Sequence, residues 1–330
     1  MPEYKESEKS RAERIAAAQA DYSKSLQEVT SNNKLYLSTL NNMCILPYSP
    51  SECLYLAYRI PGASNLDTFE HWNEHGYRIN KGQKGLTLLE ENKGETVFFD
   101  ISQTNAPSLE TSTNTQRLPK EKLSALWSCD IRILTATKEE YTKGKTIHYD
   151  SENRAVIIDR SADIPYEQLF SELSKEIAHA YLYRNNKTSY SREAFDSIAD
   201  AARYIVCRQN EIDCTLPELP NDLSPNEMKE HLENIHLISA TIQSNIDYYY
   251  ENGKPQFEKP ITVIESVHEK ESEFKEESKS LPQKTLGKKP KLKSVKELIR
   301  EKREKHRKLK YEPRHIANVF KKEDLTNGKQ

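Results

Sequence analysis

The composition of the chain changes at Gly253, and this change limits how much of it can fold around a core. From there on Glu, Lys, Ser and Pro dominate and apolar residues are few. Such a sequence cannot bury enough apolar surface to offset the entropy of ordering, so we expect residues 253–330 to form a charged, largely disordered tail. Residues 294–310 have the composition of a basic helix with Glu–Lys pairs about one turn apart. The folded part is therefore expected within the first 252 residues.

The tail also carries most of the charge asymmetry. Residues 283–310 contain 13 Lys and Arg against 3 Glu, although the whole chain has a formal net charge of -2. A segment with this excess attracts nucleic-acid phosphates through counterion release, whether or not it folds. A solvated linker is the alternative interpretation.

The cysteines and the apolar runs narrow the class of protein. The five cysteines are scattered and include no C-x-x-C pair, which favours reduced, buried thiols over a disulfide framework or a zinc knuckle. No apolar run approaches the ~20 residues that cross a bilayer, and the first residues are charged. We expect a soluble, cytoplasmic protein with no membrane partner.

The residues before 105 predict helices followed by a small antiparallel sheet. Residues 7–29 contain helix formers without Gly or Pro, which predicts an N-terminal helix within residues 1–30. Two apolar segments follow, separated by prolines. Beyond them, glycines separate short β-type runs at residues 77–79, 86–90 and 96–101.

A second module is expected after a linker at residues 105–120, which is rich in Ser, Thr, Pro and Asn. Residues 145–160 predict a hairpin with a polar turn at 150–153. Three helices are predicted beyond it, at about 166–183, 191–209 and 224–250. The last begins with Ser-Pro-Asn-Glu, which combines an N-cap serine, a proline at the first helical position and the glutamate of a capping box.

Residues 175–179 read Lys-Glu-Ile-Ala-His, the zinc-peptidase signature His-Glu-x-x-His with lysine in place of the first histidine. In the intact motif two imidazoles one helical turn apart bind zinc and the glutamate polarises a bound water. The Lys175 ammonium group has no lone pair for a metal. We therefore expect no catalysis here, with Glu176 and Lys175 as vestigial catalytic positions. A chance pattern on a Lys- and Glu-rich helix is the alternative.

Cations and aromatic rings are concentrated between residues 59 and 84. Single-strand binding needs cations along the backbone and flat rings on which bases stack, at ~1–3 kcal/mol for each base. Glycines beside two of the lysines would let phosphates approach the backbone closely. The alternatives are a buried tryptophan and a solvated hairpin edge. The candidate nucleic-acid-binding residues are Arg59, Trp72, Tyr77, Arg78, Lys81 and Lys84.

Five features follow one another in a fixed order between residues 36 and 104. They are the Tyr-Ser-Pro start at 48–50, the apolar segment before Pro61, the helix of Trp72, the glycine and basic run 76–85 and the Phe-Asp-Ile-Ser-Gln-Thr run 99–104. In this order and spacing, residues 36–104 resemble the amino-terminal single-stranded-DNA-binding domain of the ArdC-type antirestriction proteins of conjugative elements. The resemblance implies a domain of this kind over residues 31–104. Glu52 departs from the pattern, because relatives tend to carry asparagine there.

Residues 167–213 resemble the metallopeptidase-like domain that follows in the same family, which implies a zincin-like domain over residues 121–252. The third zinc ligand there is a glutamate on the next helix, and alignment on Tyr-Ile-Val-Cys puts Asp200 at that position. His179 and Asp200 are then vestigial metal ligands, and no metal cofactor is expected. We also expect Lys175 to take the place of the metal by pairing with Asp200 or Glu176.

These observations together predict an α+β protein. It would have a small helix-plus-antiparallel-sheet domain that binds single-stranded DNA, a mostly helical zincin-like domain and the basic tail. By resemblance, it would coat or protect transferred strands of a mobile element, with an antirestriction role. Two alternatives stay open. One is an active zinc metallopeptidase that uses Glu176 as base with His179 and Asp200 as ligands, and the other is a pseudo-peptidase scaffold that holds a peptide partner.

Overall fold

The computed structural model describes residues 8–90, 94–107, 117–137, 139–255 and 262–263, which belong to one compact unit. They form an α+β fold, as expected, and the predicted basic helix at 294–310 lies outside them. The helices are α1 (Glu8–Glu28), α2 (Asn33–Ile45), α3 (Pro50–Arg59), α4 (Phe69–Glu74), α5 (Pro119–Trp127), α6 (Glu139–Thr142), α7 (Tyr166–Asn185), α8 (Arg192–Gln209) and α9 (Pro225–Asn252). The strands are β1 (Leu66–Thr68), β2 (Leu86–Glu90), β3 (Gly94–Asp100), β4 (Arg132–Ala136), β5 (Ile147–Asp150), β6 (Ala155–Asp159) and β7 (Thr262–Val263).

The first sheet is antiparallel, with the strand order β1-β3-β2. β2 and β3 confirm two of the three predicted runs, and Leu86 lies opposite Phe98 on the buried face. The prediction for residues 77–79 was wrong, because that run contributes only a single bridge between Ile79 and Thr104. Glycines at positive φ on both sides of the run turn the chain into a loop.

The second sheet is mixed, with the order β5-β6-β4-β7. β5 and β6 form the predicted antiparallel hairpin. β4 is parallel to both β6 and β7, a pairing that the local hairpin pattern does not predict. One face of this sheet packs on α7, so the hairpin and α7 share one core.

The three long helices of the second half begin and end close to the predicted residues. The Ser191 side chain caps α8 by accepting from the Ala194 amide, and Ser224 and Glu227 form the predicted capping box of α9. Among the described residues, no helix is both long enough and apolar enough to cross a membrane.

Helices of the two predicted domains pack directly on each other. α2 lies against α8, and α3 against α9. Tyr36 is fully buried with its hydroxyl 3.1 Å from Nε2 of His231, and the Tyr204 hydroxyl donates to Oδ1 of Asn41 at 2.7 Å. The two halves therefore share a hydrophobic core, and the domain boundaries drawn from the sequence stay predictions.

Acidification is expected to weaken this shared core through His231. Burial lowers the pKa of His231 to about 4, whereas an unfolded histidine titrates near ~6.5. As the pH falls, the unfolded state binds the extra proton first. The contribution of neutral His231 to the free energy of unfolding is therefore fully present above pH ~6.5 and is lost as the pH falls towards the folded pKa. Between pH 7.5 and pH 5 the loss is about 2 kcal/mol, measurable by urea unfolding at the two pH values.

The matched variants for this measurement are His231→Gln and His75→Gln. Glutamine does not titrate and still offers Tyr36 a polar partner, so His231→Gln should remove about 2 kcal/mol from the acid-dependent loss of unfolding free energy. His75 is exposed on the surface, and its replacement should leave the loss as in the wild type. An undiminished acid-dependent loss in His231→Gln would contradict this assignment.

Candidate functional site

The segment Lys175–His179 lies in the middle of α7, where the helix packs against α8. Lys175 and His179 are four residues apart and so share one face of the helix. His179 is fully buried, and 25% of the Lys175 side chain is exposed. Lys175 therefore lies at the edge of the helix pair, with its ammonium group beside the side chains of α8.

Lys175 pairs with two carboxylates of α8. Its Nζ lies 2.9 Å from Oδ2 of Asp196 and 3.5 Å from Oδ1 of Asp200. The expected pair with Asp200 is confirmed, whereas Glu176, the other expected partner, is bound elsewhere. Asp196, the nearer partner, was not predicted. The ammonium group thus lies between the two carboxylates and compensates their negative charge, as a metal ion in the same place would.

His179 is held at both ring nitrogens. Nε2 lies 3.2 Å from Oδ1 of Asp196, and Nδ1 lies 3.1 Å from the hydroxyl of Tyr190. Burial raises the pKa of Tyr190 to about 12, so its hydroxyl keeps its proton and can donate to Nδ1. In that arrangement Nε2 carries a hydrogen and donates to Asp196. The bond from His179 holds the pKa of Asp196 well below its usual value, and Lys175 adds to this effect against partial burial.

Glu176, the candidate base, is held by other donors. It is 4% exposed, and its carboxylate forms a two-point ion pair with the guanidinium of Arg192. The Tyr149 amide also donates to Oε2 at 2.6 Å. The bond to Glu176 raises the pKa of Arg192 above its ordinary value. Three donors thus engage the two carboxylate oxygens, and the Arg192 guanidinium occupies the space from which a water would hand over its proton.

Asp200 is also engaged on its own helix. Its Oδ1 accepts from Nε of Arg203 at 3.0 Å, in addition to the contact with Lys175. Arg203 is 5% exposed and also donates to Oγ of Ser171 at 2.9 Å and to the carbonyl oxygen of Thr215 at 2.9 Å. These bonds orient the Asp200 carboxylate towards cations of the protein.

We call Lys175, Glu176, His179, Arg192, Asp196, Asp200 and Arg203 the ion cluster. Its three carboxylates are matched by three cations, so no uncompensated negative charge remains for a metal. In the described part of the chain, no group of three His, Cys, Asp or Glu side chains is arranged to hold a metal ion. The residues present do not fit a catalytic zinc, which needs three ligands and a water.

The second candidate site is a loop, residues 76–85, which we call the basic loop. Arg78, Lys81 and Lys84 are exposed on it. Gly76 and Gly82 adopt φ of 80° and 88°, a region that favours glycine.

Three hydrogen bonds anchor the basic loop to the chain beyond β3. The Arg78 amide donates to Oδ1 of Asn105 at 2.7 Å, and Nδ2 of Asn80 donates to the Thr104 carbonyl at 2.9 Å. Nε2 of Gln103 donates to the Lys84 carbonyl at 3.0 Å. A loop with an anchored backbone and exposed cations is suited to contact with a polyanion.

The other candidate nucleic-acid-binding residues have different surroundings. Trp72 is 6% exposed, and its indole Nε1 donates to the Phe99 carbonyl at 2.9 Å, so its ring packs in the core and offers almost no face to a base. This corrects the expected stacking role. Tyr77 is half-buried, and its ring lies in a T-shaped arrangement with that of Trp72, with the centroids 6.1 Å apart. Arg59 pairs with Asp21 of α1 at 2.8 Å.

The sequence reasoning missed Asp196, Arg192 and Tyr190. A signal existed for Asp196, because it lies one helical turn before Asp200 and so shares its face of α8. No comparable signal existed for Arg192, since its contact with Glu176 depends on how α8 crosses α7.

Comparison with solved structures identifies two crystal structures of the antirestriction protein ArdC from plasmid R388. The metal-free structure has a TM-score of 0.39 and 12% identity and covers 68% of this chain and 98% of that chain. The Mn(II)-bound structure has a TM-score of 0.37 and 15% identity and covers 62% and 83%. At these TM-scores neither likeness supports an inference about this chain. No protein-family model and no curated protein matches the sequence.

Proposed function

We propose that this chain is a single-stranded-DNA-binding accessory protein in which the peptidase-like helices have exchanged a metal for ion pairs. The observation that carries the DNA-binding part is the basic loop. Within the described residues, no carboxylate lies within ion-pair distance of Arg78, Lys81 or Lys84, so their charges are available to phosphates. The antirestriction role and the link to a mobile or conjugative element come from the sequence resemblance alone.

The proposal that the second half is not catalytic is supported by the contacts of the ion cluster. Lys175 fills the position of the first ligand and pairs with both carboxylates of α8. Arg192 occupies the carboxylate of Glu176. Hydrolysis would need a metal-bound water and a free base, and both requirements are opposed by these cations.

Removal of the loop cations is expected to weaken single-strand binding. The variant Arg78→Ala/Lys81→Ala/Lys84→Ala should bind an oligo-dT strand about tenfold more weakly at low salt, because up to three phosphate contacts are lost. The slope of log K against log salt should fall by about 2. Fluorescence anisotropy with labelled single- and double-stranded oligonucleotides at several salt concentrations measures both quantities.

The matched control is Lys120→Ala/Lys229→Ala/Lys254→Ala, which removes the same charge from exposed lysines elsewhere. Its salt slope should stay near that of the wild type. Equal losses in the loop variant and in this control would contradict a specific role of the loop. Tighter binding of the duplex than of the single strand would contradict the proposed ligand.

A further inference from the structure

A pocket lies at the C-terminal end of α7, away from the residues of the ion cluster and of the basic loop. Three cations line it, Arg154, Arg184 and Lys187, and no carboxylate is among its lining residues in the described part of the chain. Ile131 and Ala180 are buried lining residues. Its volume is about 170 Å³. We call it the α7-end pocket.

The cations converge because two separate elements meet there. Arg184 follows Ala180 by four residues and so shares its side of α7, and Lys187 comes from the turn just beyond the end of the helix. Arg154 comes from the turn between β5 and β6 and has φ of 49°. That turn is fixed by Asp150, whose Oδ1 accepts from two backbone amides of the turn at 2.9 Å and 3.3 Å. The cations are therefore held on ordered backbone.

The charge of the pocket is only partly neutralised. Arg184 pairs with Asp130, with NH1 3.1 Å from Oδ2. Arg154 and Lys187 have no ion-pair partner among the residues that the structure describes. Two uncompensated cations beside a third favour an anion with several oxygens, since each guanidinium or ammonium group can donate more than one hydrogen bond.

Two tyrosines complete the pocket. The rings of Tyr149 and Tyr183 lie with their centroids 5.7 Å apart. Burial raises the pKa of Tyr149 to about 12, so its hydroxyl stays protonated and can donate to an anion. Tyr183 is half-buried and offers part of its ring beside the cations. Since Tyr149 is buried, the half-buried ring of Tyr183 is the flat surface beside the cations, and it suits a phosphate that carries a planar base.

We propose that the α7-end pocket binds the phosphate group of a nucleotide. Its volume lies below the ~300–1,000 Å³ of typical cofactor sites, so it takes one phosphate ester rather than a whole dinucleotide. The phosphate can come from the 5′ end of a strand or from a free mononucleotide. The site is independent of the basic loop, and its failure would leave the proposed DNA binding untouched.

The test compares four probes on the full chain: inorganic phosphate, dTMP, and an oligo-dT strand with either a 5′-phosphate or a 5′-hydroxyl. The wild type should bind dTMP in isothermal titration calorimetry. Arg154→Ala/Lys187→Ala should weaken this binding at least about tenfold, because two charge-assisted contacts are lost. The control Lys120→Ala/Lys229→Ala and the basic-loop variant should bind dTMP like the wild type.

The outcomes separate the sources of the phosphate. A preference of the wild type for the 5′-phosphorylated strand that disappears in the pocket variant supports a strand end as ligand. If the pocket variant weakens the binding of dTMP and inorganic phosphate but not that of the strands, the ligand is a free phosphate ester. If no probe distinguishes the pocket variant from the control, the proposal is overturned. Should the double variant fail to fold, Lys187→Glu changes one exposed residue and provides the same comparison.

Discussion

Lys175→His is expected to bind zinc, whereas the wild type should be purified without it. The substitution places two imidazoles four residues apart on α7 and frees Asp196 and Asp200 from the ammonium group. Nε2 of His179 already lies 3.2 Å from Oδ1 of Asp196. Two ligands at ~2.1 Å from a tetrahedral zinc are separated by about 3.4 Å, so this pair needs little movement. We expect a Kd of about 1 μM or lower for zinc, which corresponds to a binding free energy of about -8 kcal/mol.

Tyr190 supports this expectation. A zinc bound at Nε2 requires the hydrogen of His179 to sit on Nδ1, and the Tyr190 hydroxyl, 3.1 Å away, can rotate to accept it. An outer hydrogen bond of this kind orients metal-binding histidines. The side chain that now fixes the metal-free tautomer can therefore serve the metal-bound one as well.

The control for this experiment is Lys175→Gln, which removes the positive charge without adding an imidazole. Zinc content after dialysis, measured by mass spectrometry, and competition with a chelator should show one zinc for each chain in Lys175→His and much less in Lys175→Gln. Equal zinc binding in the two variants would show that charge removal alone creates the site. Stoichiometric zinc in the wild type would overturn the account of the ion cluster.

The zinc-binding variant is not expected to cleave peptides. Arg192 and the Tyr149 amide still occupy the carboxylate of Glu176, so a zinc-bound water would have no free base beside it. Chelator-sensitive cleavage of a polypeptide by Lys175→His would contradict this role of Arg192.

The features that the sequence predicted well are those set by residues close together in the chain. α8 and α9 begin where Ser191 and Ser224 supply caps, and the hairpin of β5 and β6 turns at the polar residues after Asp150. The pair between Lys175 and Asp200 was also predictable, because the resemblance put both residues at metal-ligand positions. Local chemistry and a known spacing suffice in these cases.

The features that it missed depend on how distant elements meet. β4 was not assigned, because its parallel partners lie across long connections. The ion pair between Glu176 and Arg192 forms only where α8 crosses α7. From the sequence alone, Trp72 suits either base stacking or the core. The hydrogen bond from its indole to the Phe99 carbonyl, which needs the tertiary structure, decides for the core. Side-chain roles on an amphipathic element therefore need the tertiary packing.

Arg192→Met is expected to lower the free energy of unfolding by about 3 kcal/mol. The substitution keeps the length of the side chain but leaves the Glu176 carboxylate, whose side chain is 6% exposed, with the Tyr149 amide as its remaining donor. An uncompensated buried charge costs ~3–5 kcal/mol, and the lower end applies because a third of the Arg192 side chain is exposed. Urea unfolding at pH 7.5 measures the change.

The double variant Arg192→Met/Glu176→Gln tests whether this loss comes from the stranded carboxylate. Glutamine still accepts from the Tyr149 amide but carries no charge, so the double variant should be more stable than Arg192→Met alone. The single variant Glu176→Gln completes the cycle: if its loss and that of Arg192→Met simply add in the double variant, Arg192 stabilises the fold by packing and its charge does not hold Glu176.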